Sequence, residues 1–309
     1  MLAFESVVKQ FGKVRAVDDL SFEVGKGEIF ALLGPNGAGK TSTVRMIMQI
    51  MAPDSGSITF HPSLRIGEKV DRTKLGYLPE ERGLCQDTPI LKTLVYLATL
   101  RGLDASVAAS RASGWLERFG ILDRKNEKVS TLSKGNQQKV QFIASILHQP
   151  DFAILDEPFS GFDPLNQERI SDVIRELRDG GMTILLSAHQ MQLVENIADR
   201  ILMINHGKEM ISGTLNEIRK STISGQKLMI TYHGEVNEEL LQQSDDVRSS
   251  TLTPDGEWEI SLSENDSLNE ALQVLLKAGS VASLRTTEVN PGGDLRRNHR
   301  RPRLRGHPR

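Results

Sequence analysis

The segment Gly34-Pro35-Asn36-Gly37-Ala38-Gly39-Lys40-Thr41 has the spacing G-x-x-x-x-G-K-T. Glycines so placed let backbone N–H groups turn inward around phosphate oxygens, and a helix opening at the lysine adds the positive end of its dipole. In such a loop the lysine ammonium neutralises the β- and γ-phosphates and the threonine hydroxyl ligates Mg²⁺. The expected nucleotide contacts are Gly34, Pro35, Asn36, Gly37, Ala38, Gly39, Lys40, Thr41 and Ser42. A glycine-rich turn before any helix has a similar composition, but the apolar strand ahead of it and the helix behind it point to a nucleoside triphosphate.

A second constellation lies at Phe152-Ala153-Ile154-Leu155-Asp156-Glu157, an apolar strand that ends in two acids. Alternation at a strand end sends successive side chains to opposite faces. One acid can then hold the Mg²⁺ shell while the next approaches an attacking water, so Asp156 is assigned to the metal and Glu157 to water activation as general base. Alone, an acidic pair at a strand end is equally ordinary turn chemistry; beside the glycine loop it completes a hydrolysis site.

These residues need a sheet to carry them. Runs at 2–8, 16–24 and 28–33 read as strands, and residues 29–33 are apolar without alternation, as in a strand buried on both faces. A helix is expected over 41–51, a Pro/Gly/Ser stretch at 53–57 and a short strand over 75–78. Residues 81–150 change character, with helical periodicity at 91–100, 105–119 and 137–147. Strands resume at 152–155 and 183–187, and the amphipathic helix between them, 167–178, implies a parallel pair with a right-handed crossover. Beyond a polar joint at 219–225, strands at 227–233, 258–262 and 281–287 and a helix at 268–278 predict a small α+β domain over about 222–288.

Between the two constellations stands Leu132-Ser133-Lys134-Gly135-Asn136-Gln137-Gln138, opening a helix 23 residues before Asp156. In order and spacing the set resembles the ATP-binding subunit of ABC transporters, whose L-S-G-G-Q segment lies just upstream of the acidic strand. The resemblance covers about residues 1–215. It implies an α/β P-loop NTPase core with an antiparallel N-terminal β-subdomain and a helical subdomain at about 81–150. It further implies that Ser133 and Gly135 cap the γ-phosphate of ATP held by an opposite subunit, with Lys134 replacing a Gly and Asn136 a Gln. Phe11 matches the aromatic that stacks on adenine, although a Phe beside Gly12 also suits a core position. Asp163, in Ser160-Gly161-Phe162-Asp163, matches the acid of the loop that communicates across the dimer. His189 resembles the switch histidine that reaches the γ-phosphate and the catalytic water. A lone His is more often structural, but this one follows a parallel strand at the end where such sheets place ligands.

One departure is chemical. Leu75-Gly76-Tyr77-Leu78-Pro79 leads into a position where the family usually has Gln, and this chain has Glu80; Gln86 comes six residues late. A carboxylate still ligates Mg²⁺, so Glu80 joins Thr41 and Asp156 as an expected metal ligand. The stretch Leu78-Pro79-Glu80-Glu81-Arg82-Gly83-Leu84 is similar to that of some exporter subunits of the sodium, antibiotic or drug type. The family thereby implies ATP and Mg²⁺ as cofactors, a head-to-tail homodimer, a separate integral membrane subunit gripped near residues 80–88, and a place on the cytoplasmic face of the cell membrane. A competing reading is a non-transport ATPase of the same superfamily acting on ribosomes or nucleic acid. Lys40, Asp156, Glu157 and His189 together argue against a catalytically dead regulatory subunit.

Composition sets the outer bounds. The chain has 309 residues with 38 Lys+Arg against 40 Asp+Glu, enough for two domains at ~100–200 residues each. No apolar stretch approaches the ~18–20 residues of a membrane span, and Glu5 and Lys9 interrupt what a secretion signal would need, so a soluble cytosolic chain is expected. Cys85 is the one cysteine, which excludes an internal disulfide. The final stretch 296–309 holds seven Arg and no acid, leaving −2 − 7 = −9 on the rest. With no aromatics to stack on bases and several Pro and Gly, residues 289–309 read as a disordered basic tail, a natural extension or a frame-shifted end, with attraction to nucleic acid or anionic lipid as the alternative.

Overall fold

The computed structural model describes residues 1–81, 83–222, 227–234, 236–242, 244, 247–254, 256–262 and 274–287. They form two compact units, Met1–Leu215 and the chain from Asn216 onward. The expected basic tail lies outside the described residues.

The first unit opens with β1 (Leu2–Phe11), β2 (Val14–Val24) and β3 (Ile29–Leu33), followed by α1 (Lys40–Ile47) and β4 (Ser55–Phe60). A two-residue ladder, β5 (Arg65–Ile66) and β6 (Lys69–Val70), precedes β7 (Leu75–Leu78). Then come α2 (Ile90–Thr99), α3 (Ala105–Arg118), α4 (Lys134–Ile146), β8 (Phe152–Asp156), α5 (Pro164–Asp179) and β9 (Thr183–Ala188). Strands β10 (Arg200–Asn205) and β11 (Lys208–Gly213) complete the unit.

Two sheets share its core. One is antiparallel, β2-β1-β4, and the other runs β11-β10-β3-β9-β8-β7, parallel except for β11. Every residue of β3, β8 and β9 is buried, which is why their sequences are mostly apolar rather than alternating, with Asp156, Thr183 and Ser187 as the buried polar exceptions. Phe4 stacks on Phe22 with ring centroids 4.8 Å apart, and Phe22 on Phe30 at 5.3 Å, so aromatic packing joins the two sheets. After β3 the chain crosses to the edge strand β7, works back through β8 and β9, and passes over β3 to β10. Connections from β3 and β9 therefore leave in opposite directions, which opens a crevice at the C-terminal strand ends where α/β sheets bind ligands.

Helix boundaries differ from the sequence reading in physically simple ways. Helix α1 ends at Ile47 rather than 51, because Gln49 turns to φ +55°. Helices α4 and α5 start three residues earlier than their apolar periodicity, at side-chain caps: Ser133 accepts from Asn136 N–H and Asp163 from Asn166 N–H. In α5 the cap precedes Pro164, which needs no N–H partner in the first turn. Strand β4 begins inside the Pro/Gly/Ser stretch read as a break, since pairing with β1 satisfies its backbone. Strands β10 and β11 were not anticipated; β10 is the parallel neighbour of β3 and β11 closes the sheet edge.

Helix α6 (Leu215–Thr222) spans the boundary between the units, so the expected polar joint is helical as far as Thr222. The sheet of the second unit, β12 (Lys227–His233), β13 (Val247–Leu252), β14 (Trp258–Leu262) and β15 (Ser280–Thr287), is antiparallel in the order β13-β14-β12-β15, with α7 (Glu238–Gln242) beside it. Leu228, Ile230, Leu241, Trp258, Ile260 and Leu275 form its own core. Of the helix expected over 268–278, residues 274–278 are described and are helical. No helix among the described residues is long and apolar enough to cross a membrane.

Candidate active site

The crevice holds a polar cavity of about 320 Å³ lined by Ala16, Asn36, Gly37, Gly39, Lys40, Thr41, Ser42, Glu80 and Glu157. Its floor is the turn from β3 into α1. A β-carbon on Gly34 would stand 2.4 Å from the Ile204 carbonyl oxygen, so only glycine lets the chain leave the sheet there. Gly39 has φ +109°, and a β-carbon would stand 2.2 Å from the Ala16 carbonyl oxygen. No side chain caps α1, so its first N–H groups remain available to an anion. Lys40 is buried; its Nζ donates to the carbonyls of Gly34 (2.8 Å) and Pro35 (3.3 Å) and lies 3.4 Å from Glu157 Oε1.

Across the crevice, β8 and β9 place the acids. Ser187 on β9 donates to Asp156 Oδ1 at 2.5 Å and accepts the Glu157 N–H at 3.0 Å, so one hydroxyl fixes both residues. Glu157 leaves the strand with φ +51°, a left-handed turn uncommon for glutamate. Its Oε2 lies 2.8 Å from His189 Nδ1, and its other oxygen faces Lys40. The Gln190 side-chain nitrogen stands 3.3 Å from His189 Nε2. Glu80 enters from the far side, where its Oε2 accepts from the Thr41 hydroxyl at 3.3 Å.

Asp156 is 1% exposed, and its Oδ2 is buried with no hydrogen-bond partner. Burial is the main reason its carboxyl is pushed up to about 6; the Ser187 hydrogen bond opposes that, while the charges of Glu80 and Glu157 add to it. Asp156 does not itself line the cavity, but its orphaned carboxylate oxygen, with the Glu80 carboxylate near enough to bear on its charge and the Thr41 hydroxyl bonded to Glu80, gives oxygen donors of the kind Mg²⁺ takes. Among the described residues, no group of three or more His, Cys, Asp or Glu is arranged to hold a metal ion.

The raised Asp156 carboxyl makes a stability prediction for the nucleotide-free, metal-free protein. The unfolded chain ionises it near its ordinary 3.8 and the folded chain near 6, so between these values the folded state holds the extra proton. Stability then falls as pH rises through that window, and the penalty is complete above it. Asp156→Asn removes the charge and is expected to raise the melting temperature at pH 7–8, by up to ~3 kcal/mol of stability. That gain should shrink toward zero near pH 4; a gain independent of pH would refute the assignment.

The remaining candidates lie elsewhere on this chain. Phe11 ends β1, is 49% exposed and does not line the cavity, so the core alternative for it does not hold; Lys9 Nζ sits 5.7 Å from its ring centre. Ser133 and Gly135 open α4, Asp163 caps α5, and none of the three lines the cavity. A β-carbon on Gly135 would approach the Gly161 carbonyl oxygen at 3.6 Å, so the two loops are neighbours. Sequence reasoning missed Ala16, Ser187 and Gly207. The Gly207 N–H donates to the Ala38 carbonyl and its carbonyl accepts from Asp18 N–H, both at 2.9 Å, which pins the phosphate loop to β2. The signal for Ser187 was a polar residue inside an otherwise apolar buried strand, two positions before His189.

Comparison with known proteins agrees with this geometry. Residues 17–160 match the family model described as ABC transporter. The ABC transporter ATP-binding protein YhaQ of Bacillus subtilis (strain 168) is 39% identical over 291 residues, covering 93% of this chain and 95% of that protein. The linearmycin resistance ATP-binding protein LnrL of the same organism is 34% identical, covering 78% of each chain. A solved structure described as the ATP-binding subunit of an ABC transporter superposes with a TM-score of 0.66 at 30% identity, covering 72% of this chain and 92% of that one. Identity at this level over nearly the whole of both chains places the protein: it belongs to the ATP-binding subunits of ABC transporters, a family of ATP hydrolases.

Proposed function

We propose that the chain powers an exporter by hydrolysing ATP, working as a head-to-tail pair of identical subunits under a separate membrane-spanning protein on the cytoplasmic face of the membrane. The observation that carries the hydrolytic part is the Glu157 carboxylate, held 2.8 Å from His189 Nδ1 and 3.4 Å from Lys40 Nζ at the mouth of the phosphate loop. In this reading the loop amides and Lys40 bind the β- and γ-phosphates. Glu157 takes the proton of the water that attacks the γ-phosphorus as ADP leaves, and His189 orients Glu157 and the water. Thr41, Asp156 and Glu80 would hold Mg²⁺, which when bound would neutralise negative charge on the triphosphate. Phe11 stacks on adenine. Ser133, the N-cap of α4, and Gly135 in its first turn close over the γ-phosphate bound by the other copy, with Asp163 at that junction.

Export is supported by the relative named for linearmycin resistance, aligned over 78% of both chains. Residues 1–215 are the ATP-binding domain in this reading, with 81–150 as its helical part, residues 222–288 as an accessory domain and 289–309 as a tail. The test is capture of tagged Glu157→Gln from native extract in detergent with ATP and Mg²⁺. A polytopic membrane protein as the dominant partner is expected; ribosomal proteins or nucleic acid instead would overturn the transport reading.

Glu80 makes a separate prediction. Its negative charge beside triphosphate should weaken ATP binding when Mg²⁺ is absent and strengthen it when the ion is present. Glu80→Gln is expected to reduce the ratio of ATP affinities measured with and without Mg²⁺ by about tenfold. An unchanged ratio in calorimetric titrations would remove Glu80 from the metal shell.

A further inference from the structure

Gln141 projects from the second turn of α4 toward the segment that carries Glu80. It is 3% exposed. Its carboxamide nitrogen donates to the carbonyls of both Pro79 and Glu81, each at 3.0 Å, so the residues on either side of Glu80 are held by one side chain. The other end of the amide, Oε1, is buried with no partner. Leaving an acceptor unpaired costs free energy, and a flipped amide would set that oxygen against two carbonyls, so the orientation is fixed by the bonds to residues 79 and 81.

Two further contacts make α4 and β7 one body. Gly76 on β7 lies so close to α4 that a β-carbon would stand 2.3 Å from the Ser145 carbonyl oxygen. At the far end, His148 Nε2 meets the Leu75 carbonyl at 3.0 Å. Gln141 extends this attachment past the end of β7 at Leu78 to the residues that aim Glu80 at the Thr41 hydroxyl. The same helix begins at Ser133, about two turns away.

We propose that Gln141 is a positioning residue for ATP hydrolysis: its carboxamide holds Glu80 in the metal shell and ties that segment to the helix whose N-terminus closes on the nucleotide of the second copy. Nucleotide engaged at the start of α4 then bears on Glu80 in the subunit's own site through a rigid helix and one amide. The metal limb of the inference rests on the proposed ligation by Glu80; the mechanical tie does not.

Two variants test it. Gln141→Met keeps length and removes both donors, and Gln141→Glu keeps shape and replaces the donors by acceptors. In the full-length protein, amide exchange across residues 79–84 is expected to quicken at least about fivefold in both, with exchange in β8 and β9 unchanged. The ratio of ATP affinities with and without Mg²⁺ should drop about tenfold, and Gln141→Met added to Glu80→Gln should change it no further than about twofold. Unaltered exchange over 79–84 overturns the tie. Faster exchange with equal Gln141→Met effects in the Glu80 and Glu80→Gln backgrounds overturns the link to the metal shell. If Glu80→Gln alone leaves the ratio unchanged, it is the ligation by Glu80 that fails, and the exchange result still decides the tie.

Discussion

Glu157→Gln is expected to bind ATP with near-native affinity and to turn it over ~10²–10⁴-fold more slowly. The amide keeps the volume of the carboxylate, so packing against Lys40 and His189 survives; what disappears is the base. Glu157 is held on three sides, by Lys40 Nζ, by His189 Nδ1 and through its backbone by the Ser187 hydroxyl, so its carboxylate has little freedom to be replaced by a neighbour. Asp156 is the nearest alternative, but its Oδ1 is engaged by Ser187 and it belongs to the metal shell in this reading. Single-turnover assays with labelled ATP separate the chemical step from release. Turnover at the wild-type rate would mean that another group takes the proton.

Gly39→Ala is expected to abolish detectable ATP binding, whereas Gly37→Ala weakens it more modestly. Both glycines have positive φ, +109° and +80°, so a side chain at either carries a strain of ~1–3 kcal/mol, or about tenfold to a hundredfold if all of it falls on binding. The difference is space. At Gly37 an added β-carbon meets nothing within 4 Å, while at Gly39 it would stand 2.2 Å from the Ala16 carbonyl oxygen. Neither backbone can yield easily, because β2 is paired along β1 and the Gly207 turn clamps Asp18 to Ala38. Thermal melts of both variants, read beside ATP titration, distinguish a ruined cradle from an unfolded chain. Equal losses at the two positions would show that backbone strain rather than contact governs the loop.

How much of this was legible in the sequence follows from what each residue answers to. The phosphate loop was readable because its chemistry fixes residue type at 34, 39, 40 and 41, and because β3, buried on both faces, must be continuously apolar. The order of helices at 90–146 was readable because α2 and α3 each bury one stripe, whereas α4 is covered on most sides from Gln138 onward. Strand β4 was hidden because Ser55-Gly56-Ser57 looks like a break; it is held in the sheet by partners on β1, more than forty residues away. Strand β10 was missed although its residues are apolar, since only its place beside β3 marks it as a buried parallel strand. Within the site, Lys40 and Glu157 were found by type and spacing and His189 by the family resemblance, and the fold brings the three together. Ser187 escaped although it is a polar residue in an apolar buried strand, because a single hydroxyl does not say what it bonds, and Gly207 escaped because its work is done by one backbone turn. Ser133 and Gly135 could be found only by resemblance, since on a single chain they stand apart from the cavity.

That separation is the central matter, because the account needs two chains to build one complete site. The most direct measurement is sedimentation of Glu157→Gln with ATP and Mg²⁺, beside the same protein carrying Gly135→Asp. The expected result is a nucleotide-dependent dimer retaining two ATP, and a monomer that still binds ATP when Gly135→Asp sets a carboxylate at the start of α4. A Glu157→Gln monomer saturated with ATP, or a dimer indifferent to Gly135→Asp, would contradict the head-to-tail site.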